Sequence, residues 1–241
     1  MNLRCLGSGS QQGNCYLLSH NDEVLILDAG IPIKDIKRAL NWQLEGIQGV
    51  LCTHGHLDHA KSVKDFENMG IPIFAPYRSL EPMGFKDGSQ FKAQAFDLTD
   101  KNGKFMHTNN DGSECPCYGF LIEHEEMGKL IYITDTELVK WRFSGINHIL
   151  ISCNYQKKYI SDSAKRNHVL RGHMELETVK EFIKANKSNA LRTVILCHMS
   201  GDSCNAEECL AEVQKVAGEG VNVHIAYKGL EAELKESRCP F

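Results

Sequence analysis

The eight residues THGHLDHA at positions 53–60 place three histidines and one aspartate within six positions: His54, His56, Asp58 and His59. Imidazole nitrogens and carboxylate oxygens are ligands that suit Zn, Mn or Fe. Because none of the four is a cysteine, a closed structural zinc site is not expected. Four donors this close together could serve two adjacent cations, each completed by residues from elsewhere in the chain. A histidine-rich polar loop that arose by chance would explain neither this order nor the apolar strand before it.

Hydrophobic patterns place this motif between a strand and a helix. GVLCTH is a short apolar run typical of a buried strand, and AKSVKDFENMG has helical spacing and ends at Gly70. In extended chain the side chains of His54 and His56 point the same way, and the later pair falls near the first helical turn. The motif therefore lies on a loop that leads from a strand into a helix.

The rest of the chain alternates between strands and helices. GNCYLLS with EVLILDAG, and CYGFLIEH with KLIYITDT, are predicted hairpins. A helix over Met174–Ala185 and a helix over AEECLAEVQKVAG separate the strands HILISCN, TVILCHMS and NVHIAY. This order predicts an α/β fold with two mixed β-sheets packed face to face and helices outside, as one domain over residues 1–241. The polar stretch Thr99–Glu114 is predicted to be a long loop.

Composition is that of a globular protein with a real core: 241 residues, 42% apolar and 24% charged, with a net charge of −4. The start of the chain lacks a secretory pattern, and no run approaches the roughly 20 apolar residues of a membrane span. We therefore expect a cytoplasmic protein with no membrane association. The ten cysteines are expected to be mostly reduced. The acidic net charge does not exclude a phosphate-bearing substrate, because a local basic strip can bind one.

HxHxDH after a short strand resembles the metallo-β-lactamase superfamily, which implies a four-layer αβ/βα sandwich with a metal site along one edge of the sheets. Leu27-Asp28-Ala29-Gly30 is similar to the family's early strand that ends in an aspartate and a glycine, where Asp28 would support the metal loops. Asp135, after an apolar strand, matches the aspartate that bridges two metals. His198, also after an apolar strand, matches the last metal histidine.

One more ligand must lie between the fourth strand and Asp135, and either His107 or His124 could supply it. We choose His107, because a short polar segment and a glycine-containing strand follow it. The resemblance then implies that His54, His56 and His107 hold one divalent ion, that Asp58, His59 and His198 hold a second, and that Asp135 bridges them. The ions would be Zn or Mn, or Fe. Such a pair supplies hydroxide by lowering the pKa of bound water from 15.7 to about 7, and Asp58 would hold that hydroxide in line.

LGSGSQQGNCYLL, together with DAGIPIKDIKRAL and HLDHAKSV, resembles the WalJ/YycJ subgroup of bacterial exonuclease-like proteins. The Gly172-His173 pair also resembles that subgroup and, more distantly, zinc-dependent tRNA 3′-processing nucleases. This implies that His173 is a general acid, a role that suits imidazole because its pKa lies near neutrality. By the same resemblance Ser200, Asn154 and Asn205 are candidate substrate-binding residues, although the sequence departs from the subgroup's pattern around both asparagines.

The favoured function is therefore a two-metal phosphodiesterase, a nuclease that acts on nucleic acid, expected to be single-stranded. A phosphodiesterase for small or cyclic nucleotides uses the same chemistry in a different pocket and stays open. A metal-binding regulatory scaffold without turnover is the alternative outside enzymes.

Five basic residues precede His173, and they form either a solvated helix face or a surface that binds a phosphate backbone: Lys157, Lys158, Lys165, Arg166 and Arg171.

Overall fold

The computed structural model describes residues 1–75, 85, 88–160 and 172–236. In chain order its strands are β1 (Asn2–Gly7), β2 (Cys15–His20), β3 (Glu23–Leu27), β4 (Ile47–Leu51), β5 (Ile73–Phe74), β6 (Lys92–Asp97), β7 (His107–Thr108), β8 (Glu114–Cys115), β9 (Tyr118–His124), β10 (Gly128–Ile133), β11 (His148–Ser152), β12 (Thr193–Cys197), β13 (Asn222–Ile225) and β14 (Glu231–Glu233). Its α-helices are α1 (Ile33–Ala39), α2 (Leu57–Ala60), α3 (Val63–Asn68), α4 (Leu176–Asn186) and α5 (Ala206–Ala217).

Within those ranges the strands form two six-stranded mixed sheets and a small two-stranded sheet. The first sheet has the order β14-β1-β2-β3-β4-β5, and the second has the order β13-β12-β11-β10-β9-β6. Hairpins make one half of each sheet antiparallel, whereas β3, β4 and β5 run parallel, as do β10, β11, β12 and β13. The strand β7 pairs with β8.

Side chains along each strand face the two sides of the sheet in turn, and this alternation decides how the layers pack. In the first sheet Leu25 and Leu27 contact the core between the sheets, while Ile26 faces the helices α1 and α3. In the second sheet Leu150 faces inward and Ile149 packs toward α4 and α5. Because successive strand residues point to opposite faces, strands that are apolar throughout require cover on both sides. The helix, sheet, sheet, helix order that results confirms the predicted four-layer sandwich.

One predicted element differs from the structure. The stretch Thr99–Glu114 is not a long irregular loop: Thr99 bridges Phe105, and His107 and Thr108 pair with Cys115 and Glu114. Strands of two residues are too short to show a periodicity, so the sequence gives no pattern to read here. The strands β1, β6 and β14 were also not predicted.

The described part of the chain contains no helix that is long and apolar enough to cross a membrane. Each of its nine cysteines is free, with no disulfide between any two of them.

Candidate metal centre

Strand ends build the site. Asp28 follows β3, Asp135 comes two residues after β10, and His198 follows β12. These three residues have positive φ angles of 53°, 49° and 50°, in the left-handed region that residues other than glycine seldom adopt. Such a backbone costs about 1–3 kcal/mol per residue and persists where the surroundings enforce it, often at functional sites. At all three positions the chain turns sharply at the carboxyl end of a strand, where it carries a polar side chain into the site.

The first group of donors is His54, His56 and His107, whose ligand nitrogens all lie within 4.8 Å of one another. Nδ1 of His107 donates to the carbonyl of Gly172 over 3.0 Å, and Nε2 of His56 donates to Oδ1 of Asn109 over 3.2 Å. The other nitrogens of these two rings, Nε2 of His107 and Nδ1 of His56, face each other at 3.0 Å. Two lone pairs at that distance repel unless a cation or a proton lies between them.

His54 completes this group. Its Nδ1 lies 3.1 Å from Oγ1 of Thr53, and its Nε2 is buried with no hydrogen-bond partner in the described chain. A buried nitrogen without a partner is costly in a metal-free protein, but it is what a ligand for an ion requires. The donor set therefore fits a cation.

The second group is Asp58, His59 and His198, again with ligand atoms within 4.8 Å. Oδ2 of Asp58 lies 3.4 Å from Nε2 of His59 and 3.3 Å from Nε2 of His198. Asp135 lies between the two groups, since its Oδ2 is 2.8 Å from Nε2 of His59, 3.4 Å from Nε2 of His198 and 3.8 Å from Nε2 of His54. The two clusters that meet at Asp135 are consistent with a binuclear metal site.

Asp28 orders the centre from behind. Its buried carboxylate accepts hydrogen bonds from Nδ1 of His59 over 2.7 Å, from the backbone N–H of Thr53 over 2.7 Å and from the hydroxyl of Tyr132 over 2.5 Å. The bond to His59 fixes the tautomer that leaves Nε2 free to bind a metal. Asp28 thus supports the metal loops, as the resemblance implied.

Burial sets the protonation of two histidines in the first group. It lowers the pKa of His107 to about 4 and lowers the pKa of His54 well below its ordinary value. Both rings are therefore neutral near neutral pH, and their lone pairs are available to a cation.

Opposite charge sets the protonation of the two carboxylates. Burial alone would raise the pKa of Asp135, but His198 and His59 hold it well below its usual range. Burial would likewise raise the pKa of Asp58, and hydrogen bonds from the same two imidazoles lower it instead. Both carboxylates are charged at neutral pH and can bind a cation.

The N-terminal turn packs directly on the metal loop, a role that sequence reasoning missed. Nδ2 of Asn14 lies 3.0 Å from Nε2 of His59, and the backbone N–H of Asn14 donates to the carbonyl of Asp58. A Cβ on Gly30 would lie 1.7 Å from that same carbonyl oxygen, so only glycine permits this approach. Asn14 and Gly30 were visible within the motifs LGSGSQQGNCYLL and Leu27-Asp28-Ala29-Gly30, but their shared contact with the carbonyl of Asp58 was not.

The remaining candidates fall at different distances from the centre. Nε2 of His173 lies 4.0 Å from Oδ1 of Asp135, beside both groups. Asn154 is buried, with Nδ2 2.9 Å from Nδ1 of His198 and Oδ1 accepting from the backbone of Met174. Its polar atoms thus position His198, and a substrate contact for Asn154 stays a prediction.

Ser200 and Asn205 lie on the segment that follows His198. Ser200 lines a cavity of about 350 Å³ with residues 8–12 and residues 199–202. Asn205 instead caps α5, where its Oδ1 accepts from the backbone N–H of Glu208 over 3.1 Å. This capping bond occupies the side-chain oxygen of Asn205, and the substrate contact that the resemblance implied for this residue stays a prediction.

The structure separates the two histidine candidates. His107 belongs to the first group, whereas His124 ends β9 with its ring 4.8 Å from that of Phe91 and its Nε2 3.8 Å from Glu23. His124 is absent from every donor group found in the described residues.

Of the basic run, Lys157 and Lys158 are exposed and lie beside Glu175 and Glu208, at 3.9 and 2.5 Å respectively. For these two lysines the contacts favour a solvated face. The other three members, Lys165, Arg166 and Arg171, lie outside the described residues.

Comparison with known families gives an independent result. The family described as the metallo-β-lactamase superfamily matches residues 9–149, which is more than half of the chain. The chain belongs to the metallo-β-lactamase superfamily. The matched span includes six of the seven predicted ligands and ends before His198, whose place in this metallo-β-lactamase site rests on the geometry above.

Two curated relatives in this superfamily extend over nearly the whole chain. Exodeoxyribonuclease YycJ of Bacillus anthracis is 24% identical over 243 residues, which cover 96% of this chain and 83% of YycJ. Exodeoxyribonuclease WalJ of Streptococcus pneumoniae is 23% identical over 250 residues, which cover 92% of this chain and 91% of WalJ. The predicted resemblance to the WalJ/YycJ subgroup is confirmed.

Among solved structures, the metallo-β-lactamase fold protein YhfI from Bacillus subtilis superposes with a TM-score of 0.65 at 14% identity. The alignment covers 96% of this chain and 98% of YhfI. At that identity the likeness shows the fold alone.

Proposed function

We propose that this metallo-β-lactamase-fold protein is a two-metal phosphodiesterase, an exonuclease-like enzyme that hydrolyses phosphodiester bonds of single-stranded nucleic acid. One observation carries the proposal: two groups of three donors meet at Asp135, and in the first group the ring nitrogens of His56 and His107 face each other at 3.0 Å while their outer nitrogens donate elsewhere. The proposed ligands are those that the sequence predicted: His54, His56 and His107 for one ion, Asp58, His59 and His198 for the other, and Asp135 between them.

Two divalent ions held there, Zn or Mn by the chemistry of the ligands, would act as Lewis acids and would lower the pKa of a water molecule at the phosphate. The protein positions the other groups. Asp58, charged and with a side chain that is 22% exposed, reaches the solvent edge of the site, where it can orient an attacking water. His173, whose Nε2 lies 4.0 Å from Oδ1 of Asp135, can donate a proton to the leaving oxygen.

The substrate proposal draws on the surface beside His198. The cavity of about 350 Å³ is lined by residues 8–12 on one side and by residues 199–202, which include the hydroxyl of Ser200 and the carboxylate of Asp202, on the other. Ser8 accepts a hydrogen bond from the backbone N–H of His198 over 3.0 Å, so this cavity directly adjoins a proposed ligand. A phosphate placed against Ser10 or Ser200 would lie in the cavity that adjoins His198.

A basic surface continues from this cavity. Gln12 also lines a second cavity, of about 540 Å³, together with Arg4, Arg38 and Lys228. The ion pairs that Arg4 and Arg38 make are exposed, and exposed pairs contribute only about 0–1 kcal/mol, so a phosphate can replace them. A strand that enters from this side would have cations for its backbone within reach, in keeping with relatives that are named exodeoxyribonucleases.

The decisive experiment loads purified protein with Mn²⁺ or Zn²⁺, measures the ions bound per chain and offers labelled single-stranded DNA, RNA and a panel of cyclic nucleotides. We expect two ions per chain and progressive shortening of a single strand. Asp58→Ala should abolish cleavage and leave the fold intact by circular dichroism. Asp65→Ala, which changes an exposed aspartate on α3, is the matched control and should cleave at the wild-type rate.

Other results would replace the proposal. Cleavage of cyclic nucleotides alone would assign the site to small nucleotides. Protein that holds two ions and cleaves none of these phosphodiesters would favour a metal-binding scaffold. Protein that binds no ions after metal supplementation would exclude the hydrolase.

A further inference from the structure

Three cysteine side chains from separate segments meet away from the histidine and aspartate centre. Cys153 follows β11, Cys204 lies in the loop after β12, and Cys209 lies near the start of α5. The Sγ atoms of Cys204 and Cys209 are 3.3 Å apart, and all three sulfur atoms lie within 4.8 Å of one another. We call these three residues the thiol cluster.

The spacing of the thiol cluster suits one metal ion. A Zn–S bond is about 2.3 Å long, which places two sulfur ligands of a tetrahedral ion about 3.8 Å apart. Cys153 and Cys209 are fully buried, whereas Cys204 is partly exposed, so one coordination position would face the solvent side of Cys204. Sulfur ligands select thiophilic ions such as Zn²⁺ and Cu⁺ over the hard cations that carboxylates prefer.

Electrostatics favours a thiolate at one of the three positions, Cys209, while the contacts within the cluster raise the pKa of the Cys153 thiol. Hydrogen bonds from the thiols of Cys153 and Cys204 lower the pKa of Cys209. Cys209 is the fourth residue of α5, a helix of 12 residues whose N-terminal end favours negative charge. Buried cysteines often pack merely as small apolar groups. Apolar packing alone gives no reason for three thiols to converge at one helix start with two sulfurs in contact.

We propose that the thiol cluster is a separate sulfur-only site for a thiophilic metal ion. The site shares no ligand with the histidine and aspartate centre. It is tied to that centre through the backbone, because Cys153 precedes Asn154, whose side chain contacts His198, and Cys204 ends the segment that begins at His198. A bound ion would fasten the end of β11 to the loop that carries His198 and Ser200.

Cadmium distinguishes this site from the other centre, because cadmium bound to thiolate has an ultraviolet charge-transfer band that cadmium bound to nitrogen and oxygen lacks. Reduced, metal-free protein titrated with Cd²⁺ should show the band, and Cys209→Ser should abolish it. Cys115→Ala, which removes a buried cysteine outside the thiol cluster, should retain it. The proposal is wrong if wild-type protein shows no band at saturating Cd²⁺, if Cys209→Ser keeps the band, or if Cys115→Ala loses it.

A second measurement needs no variant. Cys204 in native wild-type protein should react with iodoacetamide at least about tenfold more slowly after Cd²⁺ is added, as measured by mass spectrometry of the peptide that contains it. An unchanged rate would contradict the proposal. Neither readout depends on hydrolysis, so the sulfur site and the proposed nuclease can fail separately.

Discussion

At the scale of single residues, the site is decided by which ring nitrogen of each histidine carries the proton. Asp28 accepts a hydrogen bond from Nδ1 of His59 on the side away from the centre, and the carbonyl of Gly172 accepts one from Nδ1 of His107. In the first group this leaves Nε2 of His107 without a hydrogen atom, facing Nδ1 of His56 at 3.0 Å, whereas Nε2 of His59 lies 2.8 Å from the carboxylate of Asp135 and hydrogen-bonds to it. The facing nitrogens of His107 and His56 make the first group a cation site rather than a hydrogen-bonded pair, because such a pair would need a donor on one of them. At His59 a cation would take the place of the hydrogen bond to Asp135.

His173 allows the proposed proton transfer to be tested at this scale. Replacing it in His173→Ala should slow cleavage of an oligonucleotide by about 10²–10⁴-fold, because the alkoxide that leaves needs a proton. The same variant should cleave bis-p-nitrophenyl phosphate at nearly the wild-type rate, since p-nitrophenolate leaves without one. Comparing kcat for the two substrates, with the bound metal measured in each preparation, is the test.

A uniform loss of rate on both substrates would contradict the role of a general acid. It would indicate instead that His173, at 4.0 Å from Asp135, only positions the centre.

At the scale of elements, the sequence predicted those parts of the site that follow a recognisable strand. The residues after β3, β4, β10 and β12 were all found, because an apolar run that ends in a polar residue shows in the sequence. The hairpin of β7 and β8 was taken for a loop, since strands of two residues have no period. The N-terminal turn was identified only as a motif, because its contacts with Asp58 and His59 cross more than 40 residues of sequence.

Gly172 joins two such elements, the hairpin that carries His107 and the turn before α4. Its φ angle is +78°, and a Cβ there would lie 2.3 Å from Nδ1 of His107. We expect Gly172→Ala to displace that ring and to weaken metal binding at the first group by about 10–100-fold, the usual effect of losing a partner that orients a ligand. Metal analysis after dialysis should find the bound ions reduced from two per chain toward one.

Gly103→Ala separates this effect from backbone strain. Gly103 also has a positive φ, +83°, but its Cβ would meet nothing within 4 Å. In both variants the left-handed backbone costs about 1–2 kcal/mol of stability. Only Gly172→Ala should lose bound metal. Equal metal content in the two variants would show that His107 does not depend on the turn.

At the scale of the whole molecule, the two sheets enclose one apolar core between them. One further apolar cluster lies between each sheet and its helices. This arrangement affects the pKa values of buried histidines. The apolar faces that position the metal residues also bury histidines that have no part in the site. Single-domain organisation over residues 1–241 and a cytoplasmic location both stay predictions.

His148 is the clearest of these buried histidines. It begins β11 between Leu130 of β10 and Thr193 of β12, with 1% of its surface exposed, and burial lowers its pKa to about 4. Its ordinary pKa is about 6.5, so between these values the unfolded chain binds the proton more readily than the folded one, and stability falls as the pH falls. From about pH 8 to about pH 5 this histidine should cost the folded state about 2 kcal/mol.

The test compares urea unfolding of metal-free wild-type protein and His148→Gln at both pH values. Because the other titrating groups are common to both proteins, the wild type should lose about 2 kcal/mol more than the variant, and parallel losses would show that His148 does not set the acid sensitivity of the fold.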